Sequence, residues 1–506
     1  MIKPFLQFIK QHFEALLAAI IGAVSIYILT NYHGIGLSPD SVVYTSVSRN
    51  IIEGKGIIVF GDIPLIIFPI GYPIFLAGIA AIFHHDILQL ASGLNAVLFG
   101  ISIFCTGMML NQSAARNKWY KWIILSIIPI CFSLVDIYSM LWSETLFITE
   151  ICLFIIAIQH YAQQPNRKQL LLVAILTAFI CVTRFAGVSV LATGLFCIFF
   201  HQQLTILKRL FHLLIYTLIA SSLLAVNLIR NNIINGTATG IRQKSITPLW
   251  QNIRLLGNVW CEWFQLQEPR TAVAFVLGSC LLLFLLVNVL RGLRKPDKFS
   301  SYPYIHLVFA FIYIAFIILT ATISKYEKIN NRLLAPAFIA VLMSITYFIP
   351  IAIEKINQTT IKKLLIAFTI IVYAIFQYAQ IDAHKALHEN IAENGHPGYN
   401  ELIWQESDIV QFLKTEKKFF NNDTLIFSNG CEAVYYYGGL PAYTIPEKVH
   451  TEAVREYYNE EPSYLLWFTN EFHNPAVLSL AEISKHRHLD TLAKFQDGII
   501  FWTYAK

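Results

Sequence analysis

The sequence predicts a polytopic α-helical membrane protein with a small α/β domain at its C-terminal end. Three observations predict this class. Of the 506 residues, 56% are hydrophobic and only 13% are charged, whereas soluble domains carry about 25% charged residues. Apolar runs of about 20 residues, the length that crosses a bilayer as a helix, recur between residues 13 and 381. From about residue 385 the apolar runs shorten and the charge density rises.

About eleven apolar runs are predicted as membrane spans. They cover approximately residues 13–32, 87–110, 122–140, 144–161, 169–184, 187–201, 211–229, 271–290, 305–323, 333–350 and 364–381. The pair 169–184 and 187–201 is short, and one bent helix is the alternative to two spans. Lys3 and Lys10 precede the first run and no small-residue cleavage site follows it, so we interpret this run as a span.

Basic residues in the predicted loops set the expected orientation. With the N-terminus cytoplasmic, every predicted inner loop carries Lys or Arg, as the positive-inside rule requires. We predict a transmembrane domain over residues 1–384 and a second domain over residues 385–506. Because the number of spans is odd, the second domain lies on the external, periplasmic side of a bacterial-type inner membrane. The net charge of +6 is spread over short loops, which favours contact with membrane lipids and gives no reason to expect nucleic-acid binding.

The first external loop, residues 33–86, is long for a connection within a helical bundle, and such loops are often functional. Its first half predicts an interfacial helix over 41–53, with Asp40 or Ser38 as the N-cap and Gly54 as the stop.

The second half of this loop carries an apolar run over 68–83. We predict a second interfacial or re-entrant helix there. A full span is the alternative, but Pro69 and Pro73 shorten the usable helix.

Strand and helix signals alternate after residue 385, which predicts a small α/β domain. The predicted strands are 424–428, 464–468 and 498–504, and the predicted helices are 408–420, 449–458 and 475–486.

The predicted external side should be poor in Lys and Arg, but it carries many of them. They include Arg49, Lys55, Arg184, Arg230, Arg242, Lys325 and Arg332. Some are explained as ordinary solvated loop charges. Arg184, Arg230 and Arg332 lie at the ends of apolar spans, where a charge is costly to hold. For these three we favour convergence on an anionic ligand.

Several short segments carry a resemblance to a known family. They are Ser38-Pro39-Asp40-Ser41 with Tyr44, Glu53-Gly54-Lys55-Gly56, Pro69-Ile70-Gly71-Tyr72-Pro73, Ser143-Glu144-Thr145-Leu146-Phe147, Thr183-Arg184-Phe185-Ala186-Gly187, Leu228-Ile229-Arg230-Asn231 and Asn331-Arg332-Leu333-Leu334-Ala335-Pro336. By their order and predicted outer-face placement, over residues 10–350, they resemble GT-C-fold glycosyltransferases that use polyprenyl-phosphate sugars. This is the protein O-mannosyltransferase and lipid A aminoarabinose transferase-like group.

The resemblance implies a GT-C fold and a catalytic acidic residue in the first external loop, at Asp40. Many relatives have two adjacent acidic residues there, whereas Ser41 follows Asp40 in this chain. The loop contains no Asp-x-Asp motif, so we expect no metal. The co-substrate would be the polyprenyl-phosphate sugar, and no other cofactor is expected.

The chemistry of such a transfer needs few groups. An acceptor hydroxyl must lose its proton, and the phosphate leaves as an anion without a strong general acid. We expect inversion with Asp40 as the base, although a helix-capping role is the alternative. Glu144 is the second carboxylate, which either orients the acceptor or pairs with Arg184.

The substrate-binding candidates are cationic and aromatic residues from the predicted outer segments. Guanidinium groups match the geometry of a phosphate, which favours the arginines as donor ligands. The full set is Tyr44, Arg49, Lys55, Tyr72, Arg184, Arg230, Arg242, Lys325 and Arg332. The two tyrosines are equally explained as packing residues. We expect the carboxylates and cations to meet in one pocket on the external side.

The sequence therefore predicts an integral membrane glycosyltransferase that passes a sugar from polyprenyl phosphate to a lipid, glycan or protein acceptor. A transporter or flippase of lipid-linked sugars is one alternative, but it would need broken spans or buried charges near the bilayer midplane, and internal repeats, and the two halves show no repeat. A polymerase or ligase of surface polysaccharide, which uses pyrophosphate-linked donors, is the other.

Overall fold

The computed structural model describes residues 2–113, 118–325, 327–421, 423–469 and 474–506. The chain divides into two compact units. We call residues 1–32 and 65–389 the helical unit, and residues 33–64 and 390–506 the sheet unit. This division differs from the predicted one, because the first half of the predicted external loop groups with the C-terminal residues and not with residues 1–384.

Helices account for most of the described chain. The first twelve are α1 (Ile2–Gln11), α2 (Phe13–Asn31), α3 (Pro39–Ile52), α4 (Gly71–Phe83), α5 (Ile87–Ser113), α6 (Lys118–Ile130), α7 (Phe132–Ser139), α8 (Ser143–Gln163), α9 (Arg167–Thr183), α10 (Val188–Phe199), α11 (Ile206–Ala220) and α12 (Ser222–Asn235). The others are α13 (Leu249–Trp263), α14 (Thr271–Leu293), α15 (Tyr302–Ile323), α16 (Asn331–Glu354), α17 (Thr359–Asn394), α18 (Leu402–Gln405), α19 (Asp408–Thr415), α20 (Cys431–Ala433), α21 (Thr451–Asn459) and α22 (Leu480–His486).

The helical unit has the apolar helices of an integral membrane protein. Within the described residues, seven helices are long and apolar enough to cross a membrane, and the bent pairs α6–α7 and α11–α12 raise this number to nine at most. The predicted count of about eleven is not confirmed, because α9 and α10 have only 17 and 12 residues. They are two helices and not one, since a 3₁₀ turn over Phe185–Gly187 separates them.

Helix α8 is the most buried of the seven long apolar helices among the described residues. In its 18-residue apolar stretch 78% of the residues are buried, compared with 28% for the stretch in α14 and 11% for that in α17. Hydroxyl groups tie α8 to its neighbours, because Ser102 Oγ lies 2.9 Å from the Tyr138 hydroxyl and 3.0 Å from Thr149 Oγ1. Asn95 Nδ2 donates to the carbonyl oxygens of Tyr138 and Met140, both at 2.8 Å. These bonds fix the chain that leads from α7 into the first turn of α8.

The sheet unit contains a short antiparallel pair and a five-stranded sheet. The strands are β1 (Gly395–His396), β2 (Asn400–Glu401), β3 (Ile426–Ser428), β4 (Tyr443–Thr444), β5 (Ser463–Phe468), β6 (Arg487–Lys494) and β7 (Gly498–Ala505). The sheet has the order β4-β3-β5-β7-β6. Strand β3 is parallel to β4 and β5, and β7 is antiparallel to β5 and β6.

The three predicted strands of this region are present as β3, β5 and β7. Strands β4 and β6 were not predicted. The predicted helix 408–420 ends its α-helical part at Thr415, and the predicted helix 475–486 begins only at Leu480.

Residues 33–64 are bonded into the sheet unit through their backbone. Leu37 N donates to the carbonyl oxygen of Pro397 at 3.1 Å, and Tyr399 N donates to the carbonyl oxygen of Leu37 at 2.8 Å. Asn400 Nδ2 donates to the carbonyl oxygen of Ile35 at 2.6 Å. The sheet unit is therefore assembled from two distant parts of the sequence.

A buried arginine links several segments of the sheet unit. The Arg487 side chain is 0% exposed. Its Nη1 donates to the carbonyl oxygens of Tyr457 and Glu460, both at 2.8 Å. Its Nε donates to Thr503 Oγ1 at 2.9 Å, and its Nη2 donates to the carbonyl oxygen of Glu461 at 3.0 Å. The side chain thus joins the start of β6 to β7 and to the turn after α21.

Candidate functional site

Glu144, in the first turn of α8, is enclosed by two guanidinium groups. Glu144 Oε2 lies 2.7 Å from Arg184 Nη1, and Glu144 Oε1 accepts a 2.7 Å hydrogen bond from Arg332 Nε. The carboxylate side chain is 0% exposed, whereas the Arg184 and Arg332 side chains are 17% and 18% exposed. We call these three residues the Glu144 cluster. The cluster contains two cations and one anion.

The two residues before Glu144 hold the same arginines. Trp142 is in extended conformation just before α8, and the Arg332 guanidinium lies 4.4 Å from the centre of its ring. A guanidinium over an indole face is a favourable cation–π contact. Ser143 Oγ accepts a 2.7 Å hydrogen bond from Arg184 Nη1. Three consecutive residues therefore orient both arginines.

Two helices begin at the cluster. Glu144 lies in the first turn of α8, and Arg332 lies in the first turn of α16. Asn330 caps α16, because its Oδ1 accepts a 3.1 Å hydrogen bond from Leu333 N. Helix N-termini carry partial positive charge and bind anions. Both ends therefore add to the positive potential at the cluster.

Arg184 follows α9 directly, and α4 packs against this helix end. A Cβ atom at Gly71 would lie 2.6 Å from the carbonyl oxygen of Val182 and 2.8 Å from Thr183 N. Only glycine permits this approach. The next residue, Tyr72, is 1% exposed and stacks on Phe75 with 6.5 Å between ring centroids. The sequence allowed either a substrate contact or a packing role for Tyr72, and its burial favours the packing role.

Arg230, at the end of α12, holds a loop. Its Nη1 donates to the carbonyl oxygen of Leu65 at 2.9 Å and to Asn231 Oδ1 at 3.0 Å. Asn231 Nδ2 donates to the carbonyl oxygen of Ala238 at 3.0 Å. The segment that leads towards α4 is thus fixed to the end of α12. A phosphate contact of Arg230 stays a prediction.

Arg242 and Lys325 lie on two exposed loops that pair with each other. Lys325 N donates to the carbonyl oxygen of Gln243 at 2.8 Å, and Lys325 Nζ lies 3.1 Å from Gln243 Oε1. Arg242 Nε lies 3.4 Å from Thr239 Oγ1. The pairing brings these two predicted cations to one region of the helical unit.

The sheet unit contains the other predicted site residues, beginning with α3. Ser38 is the N-cap of α3, and a capping box with Ser41 includes a 3.1 Å hydrogen bond from Ser38 N to Ser41 Oγ. Asp40 as N-cap is therefore wrong. Asp40 lies in the first turn and is partly exposed, whereas Tyr44 is buried at 3% exposure. The catalytic role of Asp40 stays a prediction.

Arg49 and Lys55 line a cavity of about 390 Å³ within the sheet unit. Lys55 Nζ lies 2.7 Å from Glu53 Oε2, and this hydrogen bond raises the pKa of Lys55. Lys55 therefore has a carboxylate partner of its own.

Some residues that shape the site were not singled out from the sequence. Trp142 contacts Arg332, Asn330 caps the helix that carries Arg332, and Gly71 permits the close approach of α4 to the end of α9. The sequence offered two signals for these residues: Trp142 directly precedes Ser143 and Glu144, and Asn330 directly precedes a helix. Among the described residues, no group of three or more His, Cys, Asp or Glu is arranged to hold a metal. The expectations on metal and cofactor stay predictions.

Comparisons with solved structures identify the fold. No protein family and no curated protein matches the sequence. Two solved structures of ArnT from Cupriavidus metallidurans, one in the apo state and one bound to undecaprenyl phosphate, are similar to this structure. Both have a TM-score of 0.53 and cover 95% of this chain and 96% of theirs, at 9% and 10% sequence identity. The chain has the GT-C fold that the resemblance implied, with seven or more apolar spans and a small C-terminal sheet domain.

Proposed function

We propose that this protein is an inner-membrane glycosyltransferase that moves a sugar from a polyprenyl-phosphate donor to an acceptor at the external face. The likeness of its fold to a protein solved with undecaprenyl phosphate supports the general class. The observation that carries the donor assignment is the Glu144 cluster, in which one buried carboxylate holds two guanidinium groups.

Charge supports a phosphate at this cluster. Two guanidinium groups lie here at the ends of apolar helices, where a charge is costly to hold, and two helix N-termini add positive potential. A polyprenyl-phosphate sugar is a phosphodiester with one negative charge, opposite in sign to the two guanidinium groups. The phosphate gains negative charge as the sugar leaves, so Arg184 and Arg332 would stabilise the transition state more than the bound donor.

Glu144 is a positioning residue in this proposal. Each of its oxygens is engaged by one arginine, so the carboxylate fixes the separation of the two guanidinium groups. Asp40 is the proposed base, on the ground of the family resemblance and its place in the first turn of α3. It takes the proton of the acceptor hydroxyl as the new O–C1 bond forms and the C1–O bond to phosphate breaks, with inversion at C1.

The remaining cations are proposed as secondary contacts. Arg242 and Lys325 lie on the paired exposed loops and would attract the anionic donor. Arg230 would act through the loop that it holds at Leu65.

The test is sugar transfer by the purified, full-length protein in nanodiscs, with polyprenyl-monophosphate and polyprenyl-pyrophosphate sugars supplied in parallel. We expect transfer from monophosphate donors. Asp40→Asn should lower the rate by about 10²–10⁴-fold, the usual contribution of a general base. Asp490→Asn, a change of the same type at an exposed position of β6, should have no effect.

Three results would contradict this proposal. Full activity of Asp40→Asn would remove the base assignment. Transfer from pyrophosphate donors alone would favour the polymerase or ligase alternative. Movement of a lipid-linked sugar across the bilayer without transfer would favour the flippase alternative.

A further inference from the structure

The cavity of about 390 Å³ in the sheet unit has the size of a small-molecule site, which is about 300–1,000 Å³. Its lining comes from two segments that are distant in sequence, residues 49–62 and residues 423–443. We call it the sheet-unit cavity. The proposed transfer gives no role to most of its lining.

One side of the sheet-unit cavity is aromatic. The rings of Phe60 and Tyr435 stack with 4.7 Å between centroids and an interplanar angle of 17°. The Tyr443 hydroxyl donates to the carbonyl oxygen of Gly61 at 3.0 Å. Gly61 has a φ of +75° and a Cβ there would lie 3.4 Å from the Tyr443 ring, so glycine suits this turn. The aromatic side is thus fixed to the turn at residues 60–62.

The other lining groups are charged and of both signs. They are two cations, Arg49 and Lys55, and three carboxylates, those of Glu53, Asp62 and Asp423, so acidic groups outnumber basic groups in the lining. Lys55 is paired with Glu53 at 2.7 Å. This balance disfavours a phosphate. Carboxylates accept hydrogen bonds from hydroxyl or amino groups, and a guanidinium donates to hydroxyl oxygens.

A pyranose ring matches this lining. Its C–H face is apolar and packs on aromatic rings, and its edge carries hydroxyl groups that need both donors and acceptors. We propose that the sheet-unit cavity binds a neutral or amino-bearing sugar residue, which belongs to the acceptor. The assignment of this sugar to the acceptor rests on the proposed function. Sugar binding itself does not, because it is measured without transfer.

The experiment uses the full-length protein in nanodiscs with three probes: glucosamine, glucose and glucose 6-phosphate. Saturation-transfer NMR detects binding, and titration gives affinities. We expect glucosamine to bind more tightly than glucose, and glucose 6-phosphate to bind more weakly than glucose.

Variants locate the site. Asp62→Asn combined with Asp423→Asn should weaken glucosamine binding about tenfold and glucose binding less, because the amino group loses both anionic partners. Asp62 has a φ of 59°, a conformation that Asn also adopts, so the backbone should not change. Tyr435→Ala should weaken both sugars, and Tyr435→Phe should retain most of the glucose binding. Asp490→Asn is the matched control and should bind as the wild type does.

Two outcomes overturn the proposal: wild-type protein that binds neither glucosamine nor glucose, or cavity variants that bind as the wild type does. Tighter binding of glucose 6-phosphate than of glucose would instead identify a phosphate site and also overturn it. Parallel transfer assays separate the two proposals. Transfer without sugar binding contradicts only the cavity proposal, whereas sugar binding without transfer from any donor supports the cavity and contradicts the proposed function.

Discussion

Both units of this protein contain arginines with little solvent exposure, but their partners differ. In the helical unit, Arg184 and Arg332 share the carboxylate of Glu144, and their side chains keep 17% and 18% exposure. In the sheet unit, Arg487 is 0% exposed, and its acceptors among the described residues are carbonyl and hydroxyl oxygens.

This difference separates a structural arginine from a candidate ligand-binding one. Neutral acceptors surround Arg487 on all three nitrogens, so the protein itself satisfies the guanidinium group. Around Glu144 the anion is enclosed while the two cations remain partly accessible. We therefore expect an anionic ligand to reach Arg184 and Arg332 and not Arg487. The predictions below test this contrast, from the largest expected effect to the smallest.

Glu144→Ala should have the largest effect. It leaves two guanidinium groups adjacent with no anion between them, and removing one partner of a buried ion pair costs about 3–5 kcal/mol. Thermal unfolding in detergent measures the loss, followed with a thiol-reactive dye in a variant that retains only the buried Cys152 and Cys181. Glu144→Gln should lose less, because its amide oxygen still accepts a hydrogen bond. Wild-type stability of Glu144→Ala would show that Glu144 does not hold the arginines.

Arg487→Met should destabilise the sheet unit by roughly 2–4 kcal/mol, because it leaves several buried carbonyl oxygens without donors. Cys431 reports on this unit, since burial raises the pKa of its thiol and keeps it unreactive in the folded state. In a variant that retains Cys431 as its sole cysteine, labelling should begin at a lower temperature. Arg455→Met, at an exposed position of α21, is the control. Equal labelling curves for Arg487→Met and Arg455→Met would contradict the structural role.

Gly71→Ala should cost about 1–3 kcal/mol, because the added methyl group collides with the backbone at Val182 and Thr183. It should also lower sugar transfer, since it displaces the end of α9 that carries Arg184. Gly78→Ala lies in the same helix, where a Cβ would have nothing within 4 Å, and should be neutral or slightly stabilising. If both variants behave alike, the close approach at Gly71 does not position Arg184.

The smallest effect concerns a partly exposed carboxylate in the sheet unit. Glu482 accepts a 2.8 Å hydrogen bond from Ser479 N and lies 2.9 Å from Lys448 Nζ, which lowers its pKa from 4.5 to about 2. A lowered folded-state pKa stabilises the protein above the unfolded value of 4.5, and this stabilisation is lost as the pH falls towards 2.

Wild type should therefore be more stable than Glu482→Gln near pH ~6, and the two should converge at acidic pH. Thermal unfolding followed by tryptophan fluorescence at several pH values tests this. A difference that is independent of pH would mean that the carboxylate charge has no role.

Much of the helical unit and part of its site follow from the sequence. Apolar runs are long and their signal is strong, so helices lie where spans were predicted. Arg184, Arg230 and Arg332 were expected to converge on an anionic ligand, because charges at span ends are costly to hold. Arg184 and Arg332 both contact Glu144, Arg230 bonds to Leu65 and Asn231, and the ligand stays a prediction. Trp142 was missed because an indole beside a span end is typical of the membrane interface and does not indicate a cation partner.

The sheet unit was harder to predict. Strand β6 is an edge strand whose residues are mostly exposed, so it lacks the alternation of apolar residues that indicates a strand. Its position depends on pairing with β7 and on buried Arg487, a residue type that usually indicates surface. The grouping of α3 with residues 390–506 has no local signal, because it depends on contacts across most of the chain.

That grouping has a consequence for biosynthesis. Residues 33–64 leave the ribosome early, but the segments that complete their unit follow only after roughly 300 further residues, or on the order of 15–65 s of translation at typical rates. During this time the backbone groups of Ile35 and Leu37 lack their final hydrogen-bond partners. Expression of residues 390–506 alone should therefore yield an incomplete unit, and adding the 33–64 peptide in trans should improve its solubility.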